Sequence, residues 1–381
     1  GHHTCRRPGR AVSAERVSPV WQAMEEAGGV SADYHGRSLM RHFGDPAGSY
    51  EAATLAAAVF DRSHRSRLAV TGRAPGQMLD GVLTGRMPVA PAACGDGVLG
   101  GEATYHSVLT SKGKMICDAW SMLRGDEDSA GFLLDVPVGG VSALLEHFKK
   151  FLPPRLASVR DVSADTGMIT VVGPDAPTLV SRLALGLLVG SDELSALSEG
   201  HWRLTGSSVV DGLAVIKTEE VWPEAYSVVG PAGAVTALWK AVVAAGARPA
   251  GHGVWSTLRV EGGRPVFGTD MDETTIPIEA GIHDRAIDYG KGCYTGQEVI
   301  IRIRDRGHVN RHLRQLELGD VPTPASGTEL HAHGSDKVVG RITSAVQSPK
   351  YGQTLALAYV RRGVKTVTLD GRAVAVPSGD D

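Results

Sequence analysis

An apolar run that ends in a Gly/Pro turn and leads into an amphipathic stretch recurs along this chain, and that repeat constrains its fold most. Ile169-Thr170-Val171-Val172-Gly173-Pro174-Asp175-Ala176 precedes Leu179 to Leu185, and Tyr226-Ser227-Val228-Val229-Gly230-Pro231-Ala232-Gly233 precedes Val235 to Ala245. Looser copies are Leu68 to Gly72 before Met78 to Leu83, and Leu133 to Pro137 before Val141 to Leu152. In the last of these, Val141, Leu144, Leu145, Phe148 and Leu152 recur at helical spacing, a stripe that must bury against a sheet. Repeated strand–turn–helix units predict duplicated α+β lobes.

Past Arg306 the texture changes to short β-type runs between turns: Leu313 to Leu318, Val338 to Ile342, Leu355 to Val360, Val364 to Leu369 and Ala373 to Val376. Their spacing fits a small barrel or sandwich. The expected division is an N-terminal arm over 1–48, a two-lobed body over 49–306 and a C-terminal β-barrel over 307–377. A chain of 381 residues has room for two or three domains. Its formal charge of −3 argues against a global electrostatic grip on nucleic acid or membrane. Four scattered cysteines without a CxxC pair fit a reducing cytosol, and no apolar run approaches a membrane span. No secretory leader pattern opens the chain, and Gly1-His2-His3 reads as a tag scar. A cytoplasmic monomer is expected.

Gly95-Asp96-Gly97-Val98-Leu99-Gly100 has the letters of a dinucleotide fingerprint, but a strand-like segment follows it instead of a helix. The phosphate of such a ligand needs a helix N-terminus, so this is a hairpin loop. There is neither a GxSxG elbow nor a P-loop. Asp270, Asp272, Glu273 and Glu279 lack the spacing of a calcium loop and read as loop caps and ion-pair partners, and no metal site is expected.

Two places carry chemistry. After the turn Ser111 to Lys114, the strand Met115 to Leu123 puts Ile116, Asp118, Trp120 and Met122 on one face. A carboxylate on an apolar face is costly unless paired, so Asp118 points to a ligand or to proton handling. The alternatives are a solvent-exposed rim position for Asp118, or a buried face defined by Cys117 and Ala119 instead. The second place is Lys291-Gly292-Cys293-Tyr294-Thr295-Gly296-Gln297-Glu298, where Thr295 and Glu298 form a capping-box pattern. A helix starting there favours a thiolate at Cys293, with Lys291 adding charge; the alternative is a small cysteine packed in a turn. Downstream, Arg302, Arg304 and Arg306 alternate with Ile301, Ile303 and Asp305, which in a strand lines up guanidinium groups for carboxylates or phosphates, or simply for solvent.

The octapeptide at 291–298 resembles the signature of YgfZ-type folate-binding proteins, relatives of the glycine-cleavage T-protein (aminomethyltransferase). Phe60-Asp61-Arg62-Ser63, Leu258 to Pro265, Gly268 to Gly281 and Val339 to Ser344 resemble segments shared by both groups. The resemblance implies an aminomethyltransferase-like fold with a tetrahydrofolate pocket in a central channel. It implies a YgfZ-type role in supporting iron–sulfur enzymes, and tRNA modification, through Cys293 and Lys291. In the aminomethyltransferase branch the matching strand carboxylate, here Asp118, acts beside the folate nitrogens. Folate contacts are expected from Tyr226, Glu224, Arg259, Tyr294, Gln297 and Arg302. One departure stands out: the T-protein's pterin-binding Glu falls at Ser227, leaving Glu224 or Tyr226 as substitutes. Three functions remain open: YgfZ-type support of iron–sulfur clients, folate-dependent one-carbon transfer or demethylation, and RNA or partner docking through Arg302, Arg304, Arg306 and Arg311.

Overall fold

The computed structural model describes residues 15–125, 131–206 and 211–379, so Cys5 lies outside the described residues. Two sheets face each other in the body. One runs in the order Ser158–Asp161, Ser66–Thr71, Phe132–Val136, Met115–Leu123, Thr104–Leu109. The other runs Arg248–Ala250, Ala58–Asp61, Thr166–Val172, Ala225–Pro231, Ala214–Thr218, His201–Thr205, Val98–Glu102, Ala92–Gly95, and only its first pair is parallel.

The two clearest sequence repeats lie side by side in the second sheet, with Ile169 opposite Val228 and Thr170 opposite Ser227. The turn after the first needs its glycine. Gly173 has φ +131°, and a Cβ there would sit 2.3 Å from the Ala56 carbonyl oxygen. The following helices, Ala176–Leu183 and Ala232–Ala244, bury Leu179, Val180, Val235, Leu238 and Trp239 on the outer face of that sheet. Trp21–Glu26 joins them through Trp21 and Met24. On the far side, Val141–Phe151 buries Leu144 and Phe148 against Met115, Cys117 and Ala119. Between the sheets lie Ala69, Met122, Leu133, Trp202, Leu204 and Val229. The result is a helix–sheet–sheet–helix stack, in which each outer helix covers one sheet face.

The chain crosses from one sheet to the other between Ala58–Asp61 and Ser66–Thr71. The four connecting residues, Arg62, Ser63, His64 and Arg65, are all buried. Loops normally run over the surface, because buried polar backbone must find partners inside. Here a charged connection passes through the middle of the molecule.

The C-terminal sheet follows the order Arg311–Gly319, Gln353–Arg361, Val338–Ser348, Glu329–Ala332, Thr366–Leu369, Arg372–Ala375. It curls until Arg372 Nη1 donates to the Leu318 carbonyl at 3.4 Å, without a ladder between first and last strands. The architecture is thus the expected α+β body with a curled six-stranded half-barrel. The strand Glu329–Ala332, whose Leu330 is fully buried, is additional to the runs read from sequence.

Helix His252–Glu261 fastens this half-barrel to the body. Arg259 Nη1 pairs with Asp270 at 2.7 Å, and Arg259 Nη2 donates to Ser344 Oγ at 3.0 Å. Thr343 and Ser344 hydroxyls both donate to Asp270 at 2.6 Å. Glu261 accepts from Tyr50, Trp222 and Ser348.

Residues Gln297–Arg306 form a helix, which corrects the strand reading of Arg302, Arg304 and Arg306. Val299, Ile300 and Ile303 recur at three- and four-residue spacing, and burial of Ile300 outweighs the short Arg/Ile alternation. In a helix, residues two apart point nearly opposite ways, so Arg304 leaves the face that Arg302 and Arg306 share and the three do not form a row. Arg302 instead pairs with Glu298 at 2.7 Å, and Arg304 with Asp305 at 2.6 Å. The Gly95–Gly100 segment is the expected hairpin, and among the described residues no cluster suited to a metal ion occurs. No helix among the described residues is long and apolar enough to cross a membrane.

Candidate functional site

The buried crossing places Arg62 and Arg65 against the inner face of the Met115–Leu123 strand. Three adjoining spaces open there. The inner one lies between the sheets against Trp120, Ser121, Met122, Ile216 and Ser227. The middle one is lined by Asp118, Tyr105, Trp120, Glu220 and a set of arginines. An outer, larger one reaches helix His252–Glu261 and the half-barrel. Trp120 and Glu220 line both inner and middle spaces, while Arg62, Arg65, Trp255 and Arg259 line both middle and outer spaces. They form one channel.

Asp118 stands at the middle of this channel. Its Oδ2 accepts from the Tyr105 hydroxyl at 2.5 Å. The antiparallel register puts Tyr105 opposite Trp120, their rings 5.1 Å apart, so the hydroxyl reaches diagonally to Asp118. Burial pushes the Asp118 carboxyl up, opposed by the Arg65 charge and the Tyr105 hydrogen bond. Arg65 itself grips Asp135 through both oxygens at 2.9 Å.

Glu220 behaves oppositely. Burial raises it, but Arg65, Arg62 and Arg285 overcome that, and Trp120 Nε1 donates to it at 3.1 Å, so its carboxyl is held below the usual value. Two carboxyl groups in one channel with proton affinities pushed apart are equipped for different tasks, one to exchange a proton and one to stay charged. Arg62 sits over the Trp255 ring at 3.9 Å, and burial lowers its guanidinium to about 10.

Ser121 is not activated as a nucleophile by the histidine beside it. His106 Nδ1 accepts the Gly85 N–H at 3.0 Å, so its Nε2 carries the hydrogen that Ser121 Oγ faces at 2.7 Å. Burial pushes this imidazole down to about 3. It donates to Ser121 and does not take a proton from it.

Of the residues expected from sequence, Asp118 and Arg259 line the channel. Arg259 is also committed to Asp270, Ser344 and the Arg264 carbonyl, so fastening the half-barrel is its main employment. Glu224 and Tyr226 line none of the three spaces. Alternation along Ala225–Pro231 turns Ser227 inward and Tyr226 outward, where its hydroxyl donates to Glu224 at 2.6 Å beside Lys217.

The 291–298 segment also lies off the channel. Lys291 Nζ is tied to the Asp80, Leu83 and Gly85 carbonyls and to the Asp80 carboxylate, which fixes a loop and leaves Cys293 without it. Cys293 is exposed and lines none of the three spaces. The capping box is not formed: Gly296 caps the helix at φ +87°, and Thr295 Oγ1 turns to the Gly81 carbonyl at 3.5 Å. Tyr294 is buried in the core, and Gln297 donates to the Gly292 carbonyl at 3.2 Å. Arg302 is bound to Glu298 on the surface.

Sequence reasoning assigned no role to Arg62, Arg65, Tyr105, Glu220 or Arg285. The signal for the first two was a basic cluster, Arg62 to Arg67, set between two apolar runs where solvent-facing charge is not expected. Glu220 had no such mark beyond an acidic pair next to Trp222-Pro223.

The model of the GCVT N-terminal domain matches residues 20–291, and that of the glycine cleavage T-protein C-terminal barrel domain matches residues 311–379. The aminomethyltransferase of Rubrobacter xylanophilus is 28% identical over 91% of this chain and 87% of its own length. That of Moorella thermoacetica is 26% identical over 93% and 92%. The crystal structure of the glycine cleavage system aminomethyltransferase T from Bartonella henselae superposes with a TM-score of 0.77 at 18% identity, covering 96% of this chain and 97% of that one, and so shares its fold. With its strand carboxylate inside a two-sheet body and a half-barrel behind it, this chain belongs to the GCVT family of the glycine-cleavage T-protein.

Proposed function

We propose that the protein is a folate-dependent one-carbon transferase, moving an aminomethyl or methyl group to or from tetrahydrofolate. Asp118 is the observation that carries this reading: a carboxyl buried at mid-strand, raised in proton affinity, and lining the middle space between the two sheets and the half-barrel. Family membership and the aminomethyltransferase relatives support the same reading. The pterin ring would enter the inner space between Met122, Ile216 and Ser227. Glu220, held ionised, supplies there the carboxylate that position 227 lacks, since an anionic acceptor matches the ring's N–H edge. Transfer forms a carbon–nitrogen bond and breaks the bond from that carbon to the donor heteroatom, which keeps the electron pair. The proton shed by the folate nitrogen passes to Asp118, which a raised proton affinity favours. Calorimetric titration with tetrahydrofolate and its methylene, methyl and formyl forms tests the reading. Binding that survives in Asp118→Asn while turnover is lost is expected; absence of binding to all four forms overturns it.

A second reading rests on the 291–298 octapeptide: a YgfZ-type role in maintaining iron–sulfur client enzymes, and in tRNA modification, with Cys293 as the working thiol. Exposure of Cys293 supports it, because a client can reach the sulfur. The relatives named aminomethyltransferase favour transfer over this role. Docking of RNA through an arginine row has lost its geometric basis in the helix.

A further inference from the structure

The hydroxyl that reaches Asp118 belongs to a ring that is itself held by two neighbours. Trp120 lies against the Tyr105 ring, centroids 5.1 Å apart, and the Arg285 guanidinium carbon stands 4.9 Å from the Tyr105 centroid. That is within the reach of a cation attracted to a ring face, and burial of Tyr105 keeps water from screening the contact. Arg285 is fixed in turn. Its Nε donates to one oxygen of Glu199 at 3.1 Å and its Nη2 donates to the other, a bidentate grip between side chains only 21% and 17% exposed.

Both ends of that pair are tied to the strand that carries Tyr105. Glu199 precedes Gly200, whose carbonyl accepts the Ala103 N–H at 2.7 Å, two residues before Tyr105. Gly200 has φ +86°, and a Cβ there would collide with the Ala103 carbonyl oxygen, so the two backbones can meet only at a glycine. Arg285 lies in the short helix His283–Ala286. The Ala286 carbonyl accepts from Thr84 Oγ1 at 2.6 Å, and Thr84 Oγ1 accepts the Ser107 N–H at 2.9 Å, two residues after Tyr105. Glu199 and Arg285 therefore bracket the ring from anchors on either side of it.

We propose that Arg285, clamped by Glu199, is a positioning residue that acts on Asp118 through Tyr105, holding the phenol ring in place and strengthening its hydroxyl as a donor to the carboxyl. A cation over a phenol ring draws electron density from it and loosens the O–H proton. Burial and the Asp118 charge push the Tyr105 hydroxyl up, and Arg285 opposes them. A stronger donor favours the ionised form of Asp118, because the hydrogen bond is made to the charge. The other charged groups around Asp118 are Arg62 and Arg65 from the crossing, Asp135 on the neighbouring strand, Glu220, and Arg259 and Arg264 at the end of helix His252–Glu261. Their fields reach the carboxyl without the Tyr105 hydroxyl, whereas the Arg285 effect proposed here requires it. That this carboxyl is the one receiving the folate proton rests on the transferase reading above; the coupling from Arg285 to Asp118 does not.

The test follows the Asp118 carboxyl by carbon-13 NMR titration of the full chain without ligand, the signal being assigned by its loss in Asp118→Asn. Arg285→Met is expected to move the Asp118 midpoint to higher pH by about 0.5, roughly a threefold gain in proton affinity, the scale of one desolvated cation–ring contact passed on through one hydrogen bond. Tyr105→Phe is expected to raise the midpoint as well, and adding Arg285→Met to Tyr105→Phe to raise it no further. If Arg285→Met fails to fold, Arg285→Gln, which still offers Glu199 an N–H donor but carries no charge, is expected to give the same shift. An unmoved midpoint, whatever the change in melting temperature, makes Arg285 structural only and overturns the proposal. A shift of equal size with and without the Tyr105 hydroxyl makes Arg285 a direct charge on Asp118 and also overturns it. Should the coupling hold while tetrahydrofolate and its one-carbon forms all fail to bind, the transferase reading falls and the coupling stands.

Discussion

Asp118 is paired with a neutral hydroxyl although a guanidinium-rich wall lies nearby, because Asp135 captures Arg65 from the next strand. Burial, which Arg65 and the Tyr105 hydroxyl only partly offset, keeps its proton affinity up, and this has two consequences of opposite sign. A folded-state pKa above the unfolded value means that the native state binds this proton more tightly, so the group favours folding at acid pH and that contribution is lost as pH rises through the folded pKa. Asp118→Asn mimics the protonated form, so its melting temperature at neutral pH is expected to match or exceed wild type while turnover disappears. Thermal melts at pH 4 and 7 beside the activity assay check both halves. Tyr105→Phe removes a bond that favours the ionised carboxyl, so the acid limb of the rate profile is expected to move to higher pH. For Cys293, which lies off the channel, Cys293→Ser is expected to leave folate binding and transfer intact. Loss of iron–sulfur enzyme activity in a strain carrying only that variant would instead favour the YgfZ-type role.

At the scale of elements, much of the architecture was legible because local pattern and tertiary burial agreed. Met115–Leu123 and Val141–Phe151 fall almost where alternation and helical stripe put them, since each has one strongly apolar face and a sharp turn before it. Gln297–Arg306 was misread for the converse reason: six alternating residues imitate a strand, and only the depth of Ile300 reveals the helix. The inward turn of Asp118 was legible, whereas the partners of Lys291 and Arg259 were not. Those partners, at Asp80 and Asp270, are acids that look like loop caps in the sequence. Arg259 and Asp270 yield a prediction here. Arg259→Met leaves Asp270 charged, buried and without its counter-ion, and is expected to cost about 3–5 kcal/mol, measured by urea unfolding. A loss under 1 kcal/mol would show that Ser344 and Thr343 suffice to hold that carboxylate, in the range of ordinary hydrogen bonds.

In the whole molecule, the channel draws Asp118 and Arg62 from widely separated stretches of chain, and Glu220 and Arg285 from others, so no single window of sequence displayed it. Asp118 was marked by a carboxylate on an apolar strand face and then by the resemblance, while Glu220, which borders the same inner space as Ser227, carried neither mark. If tetrahydrofolate is a ligand of the native state alone, saturation at about a hundredfold over its Kd is expected to add about 2.7 kcal/mol, visible as a rise in melting temperature that scales with ligand. A flat melting temperature would count against folate.

The four-residue passage through the interior has a consequence for assembly. Since Arg62 and Arg65 belong to the span that ties one sheet to the other, while Asp118 hangs from the first sheet and Glu220 is reached from the second, neither lobe alone owns a complete recognition surface. The chain returns to the second sheet at Ala92–Gly95 and Val98–Glu102 and again from Thr166–Val172 onward, so no single cut separates the two. Fragments divided between Ser158–Asp161 and Thr166–Val172 should be blind to ligand until they are recombined, which makes binding a stringent reporter that the pieces have docked in register.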